Sequence, residues 1–193
     1  MKLELLFEAI DKVNDQDPRK LEIDGKETTH ERVYSLRMLK TLLEFEPSAP
    51  DDLQIACYAQ HIGRWQLPRD TYPLGRAGYN GWRRAQYEHQ SSLASKTLKN
   101  IGATDELTAS VKELVAKKDR TTNPLSQALE DVACLVFVKY YAESFFEKHS
   151  KEKSISIVQK TWKKMSNKAQ KHLLHVLEAG YVRTVIESAL AKV

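Results

Sequence analysis

The chain has 193 residues, 41% of them hydrophobic and 29% charged, which suits one domain able to close a core without disulfides and excludes a disordered chain. Its formal net charge of +4 alone implies neither a nucleic-acid nor a membrane partner. No apolar run approaches the roughly 20 residues needed to span a bilayer. Cys57 and Cys134 both sit inside apolar helical patterns; they read as buried free thiols in a reducing compartment and offer no cysteine-based zinc site. The acidic, amphipathic start Met1-Lys2-Leu3-Glu4 argues against a signal peptide, so the cytoplasm is the expected location.

Helical periodicity recurs along the chain while alternating β-branched runs do not, so the expected fold is all-α, with about eight helices. The first covers roughly residues 3 to 13, with Leu3, Leu6, Phe7, Ile10 and Val13 on one face. A polar stretch from Asn14 to Lys26 follows, broken by Pro18 and Gly25. The second helix opens near Thr28-Thr29 and runs to about Phe45; Pro47 and Pro50 end it. Asp51 can cap a third helix reaching about Ile62. Residues 63 to 81 are irregular, with Pro68, Pro73, Gly75, Gly78 and Gly81. A fourth helix is expected from about Trp82 to Ile101 and a fifth from Glu106 to Lys117. The sixth, opening at Pro124, is apolar nearly all round and reads as central. Two amphipathic helices follow, about Glu152 to Met165 and Lys168 to Leu190. No repeat or linker divides the chain, so residues 1–193 read as one domain with a motif-bearing core at 28–140 and C-terminal helices at 151–192.

Six histidines occur. His149, His172 and His175 lie among lysines and suit surface or cap roles. His30, His61 and His89 fall on the apolar sides of three consecutive helices, which favours a shared site over three separate core histidines. Asp131 lies among Ala128, Cys134, Leu135 and Val138, where an ionised carboxylate needs a cation or several donors. An internal ion pair with Arg32 or Arg37 satisfies it; so does a metal also held by histidine nitrogens. Glu130, beside it, could share either task.

Together these segments resemble the HD superfamily of helical metal-dependent phosphohydrolases. The matching stretches are His30-Glu31-Arg32-Val33, then Gln60-His61-Ile62-Gly63-Arg64, then Glu88-His89-Gln90, and last Glu130-Asp131-Val132-Ala133. The chain as a whole is similar to an uncharacterised branch of that superfamily, a domain of unknown function sometimes labelled glutamyl-tRNA synthetase, although no synthetase nucleotide-binding motif is present. The resemblance implies an HD-like helical bundle with one divalent transition metal (Fe, Mn, Co, Ni or Zn) on His30, His61, His89 and Asp131. It also implies Glu130 as a catalytic base. The sequence departs from the pattern at its defining pair: no carboxylate follows His61, which disfavours a two-metal centre. Lys117-Lys118 stand where binuclear members place a further histidine, so a lysine there could replace a cation's charge.

Between His61 and His89 arginines alternate with aromatic residues: Arg64-Trp65, Arg69, Tyr72, Arg76, Tyr79 and Trp82-Arg83. Planar guanidinium groups suit phosphate, and aromatic faces stack on bases or on guanidinium itself. Arg64, Arg69, Arg76, Arg83 and Lys118 are therefore candidate ligand-binding residues, against the alternative that the arginines pair with Asp51, Asp52, Glu88 or Asp131. The segment is too short for an extended nucleic-acid track. Two functions follow. One is a metal-dependent phosphohydrolase acting on a phosphorylated small molecule or nucleotide. The other is a catalytically inactive anion-binding or interaction module on the same scaffold.

Overall fold

The computed structural model describes residues 2–118 and 122–191. Its chain divides into two compact units, Met1–Asp119 and Arg120–Val193. The boundary falls inside the 28–140 segment that carries the motifs.

The first unit opens with α1 (Leu3–Asn14) and then forms a hairpin where a broken polar stretch was expected. Strands β1 (Lys20–Ile23) and β2 (Lys26–Thr29) pair antiparallel, Ile23 opposite Lys26. Asp24 and Gly25 both adopt positive φ, 51° and 74°, the backbone of a two-residue turn that suits strand twist and that Asp-Gly favours. Both strands are largely exposed, so their polarity hid them. Thr29 ends β2 and caps α2 (His30–Phe45): its hydroxyl oxygen accepts from the Arg32 N–H at 3.3 Å and donates to the Asn14 carbonyl at 2.9 Å. Helix α3 (Asp51–Ala59) is apolar around most of its circumference and packs on α1, α2 and later α5. Every residue from Ile55 to Ala59 is buried, so α3 is the central rod of this unit.

Two short 3₁₀ turns, Arg64–Gln66 and Arg69–Thr71, lead into α4 (Gly75–Asn100), which packs along α5 (Asp105–Val115). Helix α4 begins seven residues before the expected Trp82. The glycines that read as breakers lie inside its first turns, and at Gly78 the cause is packing. A β-carbon there would stand 1.9 Å from the Pro73 carbonyl oxygen, so only glycine allows the helix to approach the loop.

The second unit holds α6 (Pro124–Tyr140), α7 (Ala142–Glu147), α8 (Lys151–Trp162), α9 (Asn167–Val176) and α10 (Tyr181–Leu190). Asn123, Ser150 and Ser166 cap α6, α8 and α9 through their side-chain oxygens, a preference set by the orphan N–H groups of a first turn. Leu129, Val132 and Val136 of α6 are fully buried, as are Ala169 of α9 and Ala189 of α10. The described residues thus form ten α-helices and one small hairpin, where about eight helices and no strand were expected. Among them no helix is long and apolar enough to cross a membrane.

Candidate functional site

The turn after α3 is where the first unit concentrates its polar chemistry. Asn14, fully buried at the end of α1, accepts the Gly63 N–H on its side-chain oxygen at 3.2 Å and donates to the Ser35 hydroxyl at 3.2 Å. Ser35 in turn donates to the Tyr58 carbonyl at 2.6 Å. This network ties α1, α2 and α3 to the His61–Arg64 turn. From the other side α4 holds the same segment. Gln86 donates from Nε2 to the carbonyls of Arg64 and Leu67, at 2.9 and 2.8 Å, and Trp82 donates from its indole N–H to Leu67 at 2.9 Å. Gly63 has φ +60°, the left-handed bend that reverses the chain between His61 and Arg64.

His61 is held on one edge and one face. Its Nδ1 lies 3.5 Å from Oε2 of Glu31, and its ring stacks on Tyr34 with centroids 3.6 Å apart and planes 11° from parallel. Burial, then the neighbouring Arg64 charge and that of Lys117, push its pKa down to about 4 against the pull of Glu31. The imidazole is therefore neutral at pH 7. Glu31 is itself buried; Arg19 donates to its Oε1 at 2.5 Å and grips both oxygens of buried Asp17, with Nε–Oδ1 2.9 Å and Nη2–Oδ2 2.8 Å. Burial raises the Glu31 pKa, but His61 and Arg19 together outweigh it and leave it lowered. Asp17, Arg19, Glu31 and His61 thus form a chain from the β-hairpin to the end of α3. Sequence reasoning missed its first three members. In the sequence Glu31 stands out only as part of the His30–Val33 stretch, and the polar, exposed strands conceal the hairpin that delivers Arg19.

Arg64 points the other way in character. Burial lowers its pKa, opposed chiefly by Glu31, yet a guanidinium stays charged at any physiological pH. Its contact is the face of Trp82, 4.6 Å from the ring centroid. Among the described residues no carboxylate or carbonyl receives its N–H groups. Lys117 completes the surroundings with a backbone feature of its own. It takes φ +55° just after α5, where its N–H reaches the Leu114 carbonyl at 2.9 Å and the Lys118 N–H reaches Glu113 at 3.3 Å. That is a helix-ending motif in which glycine is the usual residue. Its ammonium lies 5.6 Å from the Tyr87 ring centroid.

The other candidates separate. Arg83 donates to the Tyr87 hydroxyl and lies over the Tyr79 and Tyr87 rings. Arg69 donates to the carbonyls of Tyr72 and Pro73, at 2.9 and 3.0 Å, and so closes its own loop. Arg76 is exposed in the first turn of α4, and Lys118 is exposed. His30 is exposed at the start of α2, where its N–H donates to the Arg19 carbonyl. His89 is partly buried on α4, and its Nε2 is buried without a hydrogen-bond partner.

Asp131 belongs to the second unit, and its burial has a local explanation. Oδ1 accepts from Gln127 Nε2 at 2.9 Å and from the Ser166 N–H at 2.7 Å, while Oδ2 accepts the Ser166 hydroxyl at 2.5 Å. Several neutral donors satisfy it, rather than the arginine considered from sequence; Arg32 instead pairs with Asp11 and Asp15. Glu130 is buried with Lys164 Nζ 3.5 Å away. Among the described residues no group of three or more His, Cys, Asp or Glu side chains is gathered to hold a metal ion.

A family model described as a domain of unknown function (DUF4202) matches residues 4–186. The chain belongs to that family. The match runs across both units, so the Arg64 turn and the Asp131–Ser166 contact both fall within the DUF4202 region. No curated protein and no solved structure matches the chain.

Proposed function

We propose that the first unit binds a phosphorylated small molecule, with the phosphate on Arg64. The observation that carries this reading is a partly desolvated guanidinium with an aromatic face beneath it and no protein acceptor for its N–H groups. A guanidinium partly withdrawn from water is better compensated once an anion arrives, and a planar fork matches phosphate oxygens two at a time. Lys117 adds positive charge felt at His61. Tyr79, exposed and 5.9 Å from the Trp82 ring centroid, gives a base somewhere to stack, which makes a nucleotide the preferred class. Calorimetric titration with ATP, AMP and inorganic phosphate in the presence of a chelator tests this. Binding that survives chelation and weakens by at least about tenfold in Arg64→Met supports it, tenfold being about 1.4 kcal/mol. No binding of any of the three overturns it.

The second reading is a metal-dependent phosphohydrolase of HD-like ancestry. The buried, unpartnered Nε2 of His89 favours it, since a neutral imidazole lone pair is a metal ligand. A bound metal would supply an activated water at neutral pH. Elemental analysis after incubation with Fe, Mn, Co, Ni and Zn decides the matter: stoichiometric metal lost in His89→Ala supports this reading, and metal-free folded protein removes it.

A further inference from the structure

We propose that His61 is a phosphoacceptor, taking a phosphoryl group on Nε2 from a phosphoanhydride such as a nucleoside triphosphate bound at Arg64. This rests on the anion-site reading and adds a reaction to it.

Three geometric features carry it. The ring is fixed in direction, because Tyr34 covers one face at 3.6 Å and Glu31 stands at Nδ1. With hydrogen on Nδ1, toward the Glu31 carboxylate 3.5 Å away, the lone pair stands on Nε2. Nε2 has no hydrogen-bond partner among the described residues, although the side chain is 20% exposed. The third feature is support from behind. Glu31 does not hang alone but is fixed by Arg19, itself fixed by Asp17, which is the arrangement that orients a nucleophile through a second group.

The step balances without any oxidant or reductant. The Nε2 lone pair forms an N–P bond to the terminal phosphorus. The P–O bond to the bridging oxygen breaks, and its electron pair leaves with the nucleoside diphosphate. Positive charge developing on the ring is balanced by the nearby Glu31 carboxylate, and Arg64 is the cation that would hold the phosphate oxygens. Discharge follows when an acceptor oxygen, water in the simplest case, forms a new P–O bond. The N–P bond then returns its electrons to Nε2, and the water proton stays with the released phosphate.

The experiment incubates the full chain with γ-³²P-labelled ATP, then measures both ATP affinity and covalent label. The expected result is a label that survives alkali and is lost in acid, as a phosphoramidate bond requires. His61→Asn keeps an N–H toward Glu31 but has no Nε2. It is expected to remain folded by circular dichroism and to carry no label. Glu31→Gln is expected to retain binding and label at least about tenfold more slowly, by loss of base-like support for the nucleophile. Wild-type protein that binds ATP but takes no label overturns the phosphoacceptor role and leaves the anion site standing. Label that persists in His61→Asn assigns it to another residue and also overturns it. Absence of ATP binding overturns the anion site first, and this proposal with it.

Discussion

Nδ1 of His61 and Oε2 of Glu31 lie 3.5 Å apart, and the two groups are biased in opposite directions by what surrounds them. Glu31 is anchored as an anion by Arg19. His61 faces Glu31 and Tyr34 from α2, Arg64 from its own turn and Lys117 beyond α5. Burial and the two cations prevail over the carboxylate, so the ring is neutral in the folded protein.

This sets a pH dependence of stability. The folded pKa of His61, about 4, lies below its ordinary 6.5. Between those values the unfolded chain takes up a proton that the folded chain refuses. The contribution of His61 is therefore complete above pH 6.5 and is lost as pH falls toward 4. A shift of that size corresponds to something of the order of 3 kcal/mol. Glu31, with its folded pKa lowered, adds a further loss in the same direction at more acid pH. Urea unfolding between pH 7.5 and 4 should show stability declining from about pH 6.5, a decline much reduced in His61→Asn, and the His61 C2–H should fail to titrate above pH 5 by NMR. A normal titration near 6.5 would show the ring to be solvated instead.

The parts of this arrangement were unequally visible in the sequence. Helices α1, α2 and α5 follow from apolar spacing because each has one face against a core, and α6 follows from being apolar nearly all round. The hairpin does not, because exposed strands of four residues carry no alternation to read; its Asp24-Gly25 turn was the available signal. His61 and Arg64 were legible as a histidine and an arginine beside a glycine. Their partners were not, since Arg19 and Glu31 meet only after β1 and β2 bring the chain back. The Ser166 partner of Asp131 was hidden for a related reason. A buried acid among apolar residues looks the same in sequence whether its donors are a metal, an arginine or, as here, a serine 35 residues later.

Two glycines fix the turn and its supporting helix, and they should differ in cost. Alanine at Gly63 must take φ +60° and bring Cβ to 2.5 Å from Leu93 Cδ2. The left-handed backbone costs about 1–2 kcal/mol, but Leu93 is a side chain that can move. Alanine at Gly78 meets the Pro73 carbonyl oxygen at 1.9 Å, and backbone cannot give way without shifting the start of α4. Gly78→Ala should therefore destabilise more than Gly63→Ala, by more than about 3 kcal/mol against about 2. Thermal unfolding of the two variants compares them directly, and the reverse order would contradict the close approach described.

Asp131 and Ser166 should behave as a coupled pair. Ser166 caps α9 while its N–H and hydroxyl both donate to Asp131. Ser166→Ala loses the cap, a cost of about 0.5–2 kcal/mol. Asp131→Ala leaves the Ser166 N–H without its acceptor, a cost of about 1–3 kcal/mol. Because each single change already breaks the shared contact, the double variant should be less destabilised than the sum, by about 0.5–3 kcal/mol. Additive effects in denaturant unfolding would mean that the contact contributes nothing in solution.

Lys117 separates stability from ligand binding. Its φ of +55° costs a side-chain-bearing residue about 1–2 kcal/mol, whereas glycine takes that conformation without strain at an entropic cost of about 0.5–1 kcal/mol. Lys117→Gly should thus leave stability within about 1 kcal/mol of wild type or raise it. The same change removes positive charge felt at His61. ATP affinity should therefore fall while the fold is retained, the reverse of what most substitutions in a helix-ending motif do. Weaker binding together with unchanged or higher melting temperature would mark Lys117 as a residue kept for its charge at the expense of backbone strain. Unchanged affinity would confine its role to ending α5, and the positive charge of the site would then rest on Arg64.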